Sequence, residues 1–119
     1  MWLFCCAVGY PHLKCAPHGG RLIAISTIRA LKGWPGCARA AAAKAGVMPL
    51  IRSLAVEWGP EGILCNRVAP GPIGGTEGVK RLHEETGQST AQSIGQSIGL
   101  PAGRPGRAED VAQAALYLC

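Results

Sequence analysis

One stretch, from Ala55 to Val79, constrains the fold of this chain more than any other. It reads Ala-Val-Glu-Trp-Gly-Pro-Glu-Gly-Ile-Leu-Cys-Asn-Arg-Val-Ala-Pro-Gly-Pro-Ile-Gly-Gly-Thr-Glu-Gly-Val. Trp58-Gly59-Pro60 predicts the end of a helix, with Gly59 in a left-handed cap and Pro60 unable to continue the helical hydrogen bonds. The apolar run over 63–69 predicts a strand that is covered on both faces. The glycines and prolines over 70–75 predict a tight loop directly after it.

This loop occupies a position where ligands often bind. In an open α/β sheet, ligands lie just outside the carboxyl ends of the strands. Glycine also removes side-chain bulk, so that a ligand can approach the backbone closely. Two interpretations stay open here: the loop contacts a ligand, or it is a plain connection that needs a sharp turn.

The middle of the chain predicts a strand followed by a helix. Residues 21–26 read as a buried strand that follows a Gly-Gly turn, and 27–36 reads as a loop. A helix is predicted from Cys37 to Trp58, and residues three and four positions apart form its apolar face: Val47, Leu50, Ile51, Leu54, Ala55 and Trp58. Gly46 and Pro49 predict a bend or a weakened helix, because proline removes a backbone donor.

Both ends of the chain have weaker patterns. Residues 1–18 predict an irregular start, because glycine and proline follow a brief apolar run. Residues 76–100 are polar and repetitive, which is typical either of a flap over a substrate or of an ordinary surface loop. A turn is predicted over 101–106. A final helix follows, with these residues on its buried face: Val111, Ala114, Ala115 and Leu118.

Composition disfavours several classes of function. The net charge of +5 comes from scattered lysines and arginines that form no run, so we expect no nucleic-acid partner, whereas an anionic small ligand remains compatible. No apolar run reaches the roughly 20 residues that span a bilayer, so we expect no membrane segment. The 6 cysteines include no C-x-x-C pair, which predicts neither a metal site nor a disulfide framework and favours a reducing compartment. We expect none of the 3 histidines to be a ligand or a base.

The order of the elements predicts an α/β fold with a parallel sheet. Strand, helix, strand, flap and helix make one βαβ unit with additions. Two strands cannot make a stable doubly wound domain by themselves, because further strands must border them. We therefore predict that residues 1–119 form a single, incomplete domain.

Three groups of residues resemble the short-chain dehydrogenase/reductase family. The first is Ser26-Thr27 followed by Lys44, and the second is the run from Asn66 to Ile73. The third resembles the segment before the family's last strand: Arg104-Pro105-Gly106-Arg107-Ala108-Glu109-Asp110-Val111-Ala112. Within the family, the runs 54–60 and 69–78 are most similar to peroxisomal 2,4-dienoyl-CoA reductases. The resemblance covers roughly residues 19–119 and implies a partial Rossmann-like, doubly wound parallel sheet.

The resemblance also implies a reaction and a set of site residues. The reaction is the NADPH-dependent reduction of a 2,4-dienoyl-CoA, an acyl-CoA substrate, to a 3-enoyl-CoA in fatty acid β-oxidation. Carried over by position, Lys44 hydrogen-bonds the nicotinamide ribose and brings positive charge to the site. Pro70, Gly71 and Ile73 border the nicotinamide, and the Ile73 backbone meets its carboxamide. Thr27 stands at the place of the family's catalytic serine, and the segment 76–100 covers the acyl chain.

Departures from the family pattern limit these expectations. Ala40 stands where the broad family has a proton-donating tyrosine, which is compatible with dienoyl-CoA reductases and argues against an ordinary carbonyl reductase. Arg29 stands where related mitochondrial reductases carry a loop tyrosine, so no proton donor is assigned. The glycine-rich βαβ unit that holds the pyrophosphate and the last strand are both absent from residues 1–119. We therefore expect this chain to bind NADPH weakly or not at all.

The resemblance further implies a homo-oligomer for the full domain and a peroxisomal location. Tyr117-Leu118-Cys119 is not a peroxisomal address of the Ser-Lys-Leu kind, so a cytoplasmic location is the alternative. Two other hypotheses of function stay open. One is a truncated, non-catalytic chain that keeps only packing or self-association surfaces, and the other is a different short-chain reductase that acts on a carbonyl.

Overall fold

The computed structural model describes residues 1–32, 37–80 and 100–119 of the chain. In order, its elements are α1 (Trp2–Lys14), β1 (Arg21–Ile25), a 3-10 turn (Ile28–Ala30), α2 (Ala38–Ala45), α3 (Val47–Trp58), a second 3-10 turn (Gly59–Glu61), β2 (Leu64–Val68) and α4 (Ala108–Leu118). β1 and β2 pair in parallel, with Ile23 opposite Asn66. Both predicted strands and the parallel sheet are therefore confirmed. The prediction that β2 is covered on both faces is wrong, because Leu64 is 49% exposed and the other residues of β2 are only half-buried.

The hydrophobic core lies between the sheet and α3. Ala24 of β1 packs with Val47 and Ile51 of α3, and none of the three is more than 4% exposed. Trp2, Leu22 and Cys65 are partly buried and pack around this group. The spacing of apolar residues along α3 thus predicted the face that the helix buries.

The predicted long helix is divided at Gly46, which ends α2 and precedes α3. This break places Pro49 in the first turn of α3, where backbone N–H groups have no partner within the helix. Pro49 therefore costs α3 no internal hydrogen bond. The bend that the sequence predicted here takes the form of a break at Gly46.

The connection from α3 to β2 differs from the prediction. Gly59 is right-handed, with φ −53°, and it begins the second 3-10 turn, so its assignment as a left-handed cap is wrong. Pro60 suits the start of a short helix because its ring fixes φ, and the chain makes one more turn before it reverses. The left-handed residue is Gly62, with φ +78°, and it leads into the fully buried Ile63.

The prediction of an irregular start over 1–18 is wrong, because most of this segment forms α1. Pro11 lies inside the helix, where proline costs about 3 kcal/mol. Contacts with the rest of the protein offset this cost. Cys6 is buried, and the Tyr10 ring packs on Trp58 with the ring centroids 5.0 Å apart. Tertiary contacts, rather than an amphipathic pattern, hold α1 in place.

α4 packs loosely against the sheet on the side away from α3. Val68 and Ala24 point to opposite faces because side chains alternate along strands, and Val68 lies beside Val111 and Ala114 of α4. Val111, Ala115 and Leu118 are the half-buried residues of this helix, as predicted for its inner face, but none of them is fully buried and Ala114 is exposed. The turn over 101–106 is confirmed. Most of the predicted flap over 76–100, and part of the loop over 27–36, lie outside the described residues.

Candidate functional site

Backbone hydrogen bonds join the carboxyl ends of β1 and β2 beyond the strands themselves. Ser26 N donates to Val68 O at 2.8 Å, and Ile28 N donates to Pro70 O at 3.2 Å. Thr27 lies between these two bonds, at the edge where parallel strands present ligand sites. The structure thereby brings Thr27 and the Pro70 loop, two of the predicted site elements, next to each other.

Thr27 caps the 3-10 turn that follows β1. Its Oγ1 accepts a hydrogen bond from Arg29 N at 3.4 Å. A hydroxyl has one donor and two acceptor lone pairs, so this bond leaves the Thr27 O–H able to donate to a ligand. The half-buried side chain therefore combines a local structural role with a donor at the end of the sheet.

Lys44 reaches the same edge from α2. Its Nζ donates to the Ile25 carbonyl at 2.8 Å and lies 5.6 Å from the centre of the Trp2 ring. An ammonium has three N–H donors, so two remain after the bond to Ile25. Ile25 ends β1 and Thr27 follows shortly after it, so Lys44 and Thr27 belong to one site.

A backbone bridge fixes the loop after β2. Gly106 N donates to Pro72 O and Gly74 N donates to Gly106 O, each at 2.9 Å, in a parallel pairing of Ile73 with Gly106. A residue between two such bonds directs its own N–H and C=O to the other side. The Ile73 carbonyl accepts the Thr76 hydroxyl at 3.0 Å. Among the residues that the structure describes, no acceptor lies against the Ile73 N–H, which is therefore available to a ligand.

At Gly106, a side chain would crowd the Ile73 side chain across this bridge. A Cβ at Gly106 would lie 2.7 Å from Cδ1 of Ile73. The opposite holds at Gly71, where no atom would lie within 4 Å of an added Cβ. The backbone at Gly71 therefore faces open space, whereas the backbone at Gly106 is packed.

An apolar cleft of about 290 Å³ opens between this loop and α4. The residues of its two walls are Val68, Pro70, Gly71, Pro72 and Ile73 on one side and Leu100, Pro101, Ala102, Val111 and Ala114 on the other. Its charged lining residues, Arg104 and Asp110, pair with each other at 3.3 Å. Lys44 and Thr27 are not among the lining residues, so the predicted site has two parts: a polar strand end and an apolar cleft, joined at Pro70.

The Asp110 carboxylate is hydrogen-bonded and ion-paired within the protein. Its carboxylate accepts a hydrogen bond from Arg107 N at 2.9 Å and a second from Arg104. The bond from the Arg107 backbone, followed by the bond from Arg104, holds the pKa of Asp110 below its ordinary value. Asp110 therefore fixes the start of α4, and its charge is matched by arginine at the cleft.

Sequence reasoning missed three features of this site. Gly106 carries the bridge to Ile73, and its place in a segment that resembles the family gave a signal that could have found it. The Ile25 carbonyl and the Trp2 ring both contact Lys44. No short-range pattern links either of them to Lys44, because the contacts form only when the chain folds.

Comparison with known proteins decides the family. The family profile described as "Enoyl-(Acyl carrier protein) reductase" matches residues 3–119. The chain belongs to the short-chain dehydrogenase/reductase family.

Within the described residues of this short-chain dehydrogenase/reductase chain, no helix is both long and apolar enough to cross a membrane. The same residues contain no cluster of three or more His, Cys, Asp or Glu that could hold a metal ion.

Two relatives have sequences similar to most of this chain. A peroxisomal 2,4-dienoyl-CoA reductase, (3E)-enoyl-CoA-producing, from Danio rerio is 43% identical over 101 residues, which cover 85% of this chain and 32% of the relative. A probable 2,4-dienoyl-CoA reductase, (2E)-enoyl-CoA-producing, from Bacillus subtilis (strain 168) is 36% identical over 116 residues, covering 97% of this chain and 44% of the relative. The chain thus spans less than half the length of these relatives.

A solved structure from the same family confirms the fold class. An NADPH-bound short chain oxidoreductase from Pseudomonas aeruginosa PAO1, described as containing an atypical catalytic center, superposes with a TM-score of 0.79 and 27% identity. The match covers 95% of this chain and 43% of that chain. The two strands and their helices are therefore part of a Rossmann-like α/β fold.

Proposed function

We propose that this chain is a portion of an NADPH-dependent 2,4-dienoyl-CoA reductase that converts an acyl-CoA substrate to a 3-enoyl-CoA. The observation that carries the proposal is the joining of a polar strand end, with Lys44 and Thr27, to an apolar cleft beside the loop over 70–73. The substrate class comes from the names of the Danio rerio and Bacillus subtilis relatives. The name of the first relative also supports a peroxisomal location, which we include in the proposal.

The described residues fit the nicotinamide end of NADPH. Within the part of the chain that the structure describes, the Ile73 N–H has no acceptor, and it suits a carboxamide oxygen. Gly71 leaves open space at the backbone, where a flat ring can approach. Two N–H donors of the Lys44 ammonium remain for ribose hydroxyls. We therefore propose that Lys44, Pro70, Gly71 and Ile73 hold the nicotinamide nucleoside.

When bound, NADPH supplies the reducing equivalent for the conjugated double bonds. The residues of this chain stabilise the negative charge that then develops on the thioester oxygen, because preorganised donors act strongly at such a position. The Lys44 ammonium and the Thr27 O–H are donors at the strand end that we assign to this role. Ala40, exposed on α2, has no proton to give. The proposed roles are thus charge stabilisation by Lys44 and Thr27 and orientation of the ring by the loop.

Chemical-shift mapping with reduced nicotinamide mononucleotide tests this proposal. The probe contains the nicotinamide half of NADPH without the second nucleotide. We expect shifts at the amides of Gly71, Ile73 and Thr27, and a several-fold weaker affinity in Lys44→Gln. The matched control is Lys32→Gln, which removes an exposed lysine outside the site and should leave the affinity unchanged. Shifts that avoid both parts of the site would refute the proposal.

A titration with NADPH itself tests whether this chain lacks a binding site for the pyrophosphate. Because residues 1–119 contain no glycine-rich turn for the pyrophosphate, the second nucleotide should add little affinity. We expect NADPH to bind this chain no more than about tenfold more tightly than the mononucleotide, a difference worth about 1.4 kcal/mol. NADPH binding that is far more than tenfold tighter than mononucleotide binding, read by NADPH fluorescence, would contradict this expectation.

A second candidate is self-association without catalysis, and the surface of α1 favours it. Leu3, Phe4 and Val8 are 70%, 73% and 53% exposed, which is unusual for large apolar side chains on one helix. We propose that this helix contacts a second copy of the chain. Phe4→Glu should then shift sedimentation velocity toward the monomer, whereas Leu116→Glu, a charge added to exposed α4, should not. A monomeric native chain would exclude this candidate.

A further inference from the structure

We propose that Trp2 is a positioning residue for Lys44. The proposal rests on the proposed function only for its importance to cofactor binding, since the contact itself is a property of the folded chain. Lys44 Nζ lies 5.6 Å from the centre of the Trp2 ring, within the range in which an ammonium is attracted by an aromatic face. Tryptophan is the side chain that attracts cations most strongly in this way.

The two contacts of Lys44 act together. The bond from Nζ to the Ile25 carbonyl, at 2.8 Å, anchors the ammonium at the end of β1. The Trp2 ring then restricts the direction from which the ammonium meets that carbonyl. A lysine has a flexible four-carbon stem and loses many rotamers when its head group is fixed. Two contacts from different elements therefore hold Lys44 ready at the strand end without the cofactor.

Trp2 is itself held firmly enough to serve this role. Its side chain is half-buried and packs against the core group of Ala24, Val47 and Ile51. Trp2 also lies in a groove beside Ala43, the neighbour of Lys44, and beside Gly46 at the break between α2 and α3. The ring thus connects the core, the break in the helix and the lysine. Displacement of α1 would move the ring and release Lys44.

Competitive acetylation of lysines, read by mass spectrometry, tests the contact without any cofactor. Lys80 is exposed and serves as the internal reference. Trp2→Leu should raise the ratio of Lys44 to Lys80 labelling about two- to fivefold, because the ammonium loses the aromatic face. Trp2→Phe keeps a ring and should restore most of the native ratio. Equal ratios in native protein and Trp2→Leu would overturn the proposal.

Two controls separate positioning from a loss of structure. Lys14 lies at the other end of α1 and pairs with Glu61, so its unchanged labelling in Trp2→Leu shows that the helix stays docked. If Trp2→Leu does not fold, NMR spectra of the native chain test the contact between Trp2 and Lys44. A nuclear Overhauser effect between the Trp2 ring protons and the Lys44 ε-methylene is then expected, and its absence overturns the proposal.

The nucleotide provides a further readout that a merely structural role would not give. Trp2→Leu should weaken binding of reduced nicotinamide mononucleotide, by no more than Lys44→Gln does, and the double variant should lose no more than Lys44→Gln alone. Additive losses would overturn the positioning role. If the native chain does not bind the mononucleotide, the proposed function fails, while the labelling ratio still decides whether Trp2 holds Lys44.

Discussion

The two faces of the sheet are stabilised in different ways. On the α3 face, Ala24, Val47 and Ile51 form a packed core. On the α4 face, no described residue of the helix is buried, and the Ile73–Gly106 bridge joins the surrounding loops through backbone hydrogen bonds. The α3 face therefore supplies stability, and the α4 face supplies an open cleft. A chain can leave a ligand site loosely packed only if another region carries the folding free energy.

The largest effect should come from a substitution on the packed face. Ile51→Ala removes a buried branched side chain and leaves a cavity, which costs about 2–5 kcal/mol of unfolding free energy. Val56→Ala on the same helix removes apolar atoms from a side chain that is 78% exposed, so it should cost within about 0.5 kcal/mol. Urea denaturation of both variants measures the contrast. Equal losses would show that α3 does not carry the core.

An intermediate effect is expected at the bridge on the cleft face. Gly106→Ala places a Cβ against Cδ1 of Ile73, the movable end of a side chain, so Ile73 should change rotamer at a cost of about 0.5–1.5 kcal/mol. Gly71→Ala enters open space and should leave stability nearly unchanged. Carbon-13 methyl spectra of Ile73 report the rotamer. An unchanged Ile73 methyl signal in Gly106→Ala would contradict the packed bridge.

The smallest effect concerns the attachment of α1 beside the packed face. Hydrogen bonds from Lys14 and then Tyr10 hold the pKa of Glu61 below its ordinary value of 4.5. A lowered pKa in the folded state stabilises the protein above the ordinary value, and that stabilisation is lost as pH falls through the folded pKa. The same cluster raises the pKa of Tyr10, chiefly through the bond to Glu61, and that contribution is lost as pH rises above about 10.

Glu61→Gln should therefore be slightly less stable than the native chain at pH 7, and the difference should shrink below pH 4.5. Screening by solvent keeps this effect small, because the cluster is on the surface. Thermal denaturation at pH 7 and at pH 3.5 measures it. Glu57→Gln removes the same charge from an exposed position on α3 and is the matched control. A constant difference at both pH values would show that the ion pair does not hold α1.

Local patterns in the sequence predicted the elements of the packed face. The strands, their parallel pairing and the apolar residues of α3 follow from periodicity and from the βαβ order of elements. α1 could not be predicted in this way, because Pro11 disfavours a helix and distant contacts such as Tyr10 on Trp58 compensate for it. Gly59 and Gly62 show a related limit. Either glycine could have taken the left-handed conformation, and the turn around Pro60 selected Gly62.

The candidate site was predictable in its parts but not in their arrangement. The resemblance to the family identified Lys44, Thr27 and the loop over 70–73. It did not reveal that Lys44 lies on the Ile25 carbonyl beneath Trp2, because that contact depends on how α1 packs. Nor did it reveal the cleft wall formed by α4. The ligand-binding roles of Lys44, Thr27 and the loop over 70–73 are predictions, which nucleotide binding to the variants would test.

The pairing of Ile73 with Gly106 sets a rule for protein engineering. Segments exchanged between relatives over 100–106, in order to reshape the cleft, should keep glycine at 106, because a Cβ there would lie 2.7 Å from Cδ1 of Ile73 and would push this side chain into another rotamer. Ala102, in contrast, is an exposed residue that lines the cleft, so a library at this position would vary the cavity without disturbing the bridge. The segment 100–106 thus contains one position, Gly106, that belongs to the bridge and another, Ala102, that can vary with the shape of the cleft.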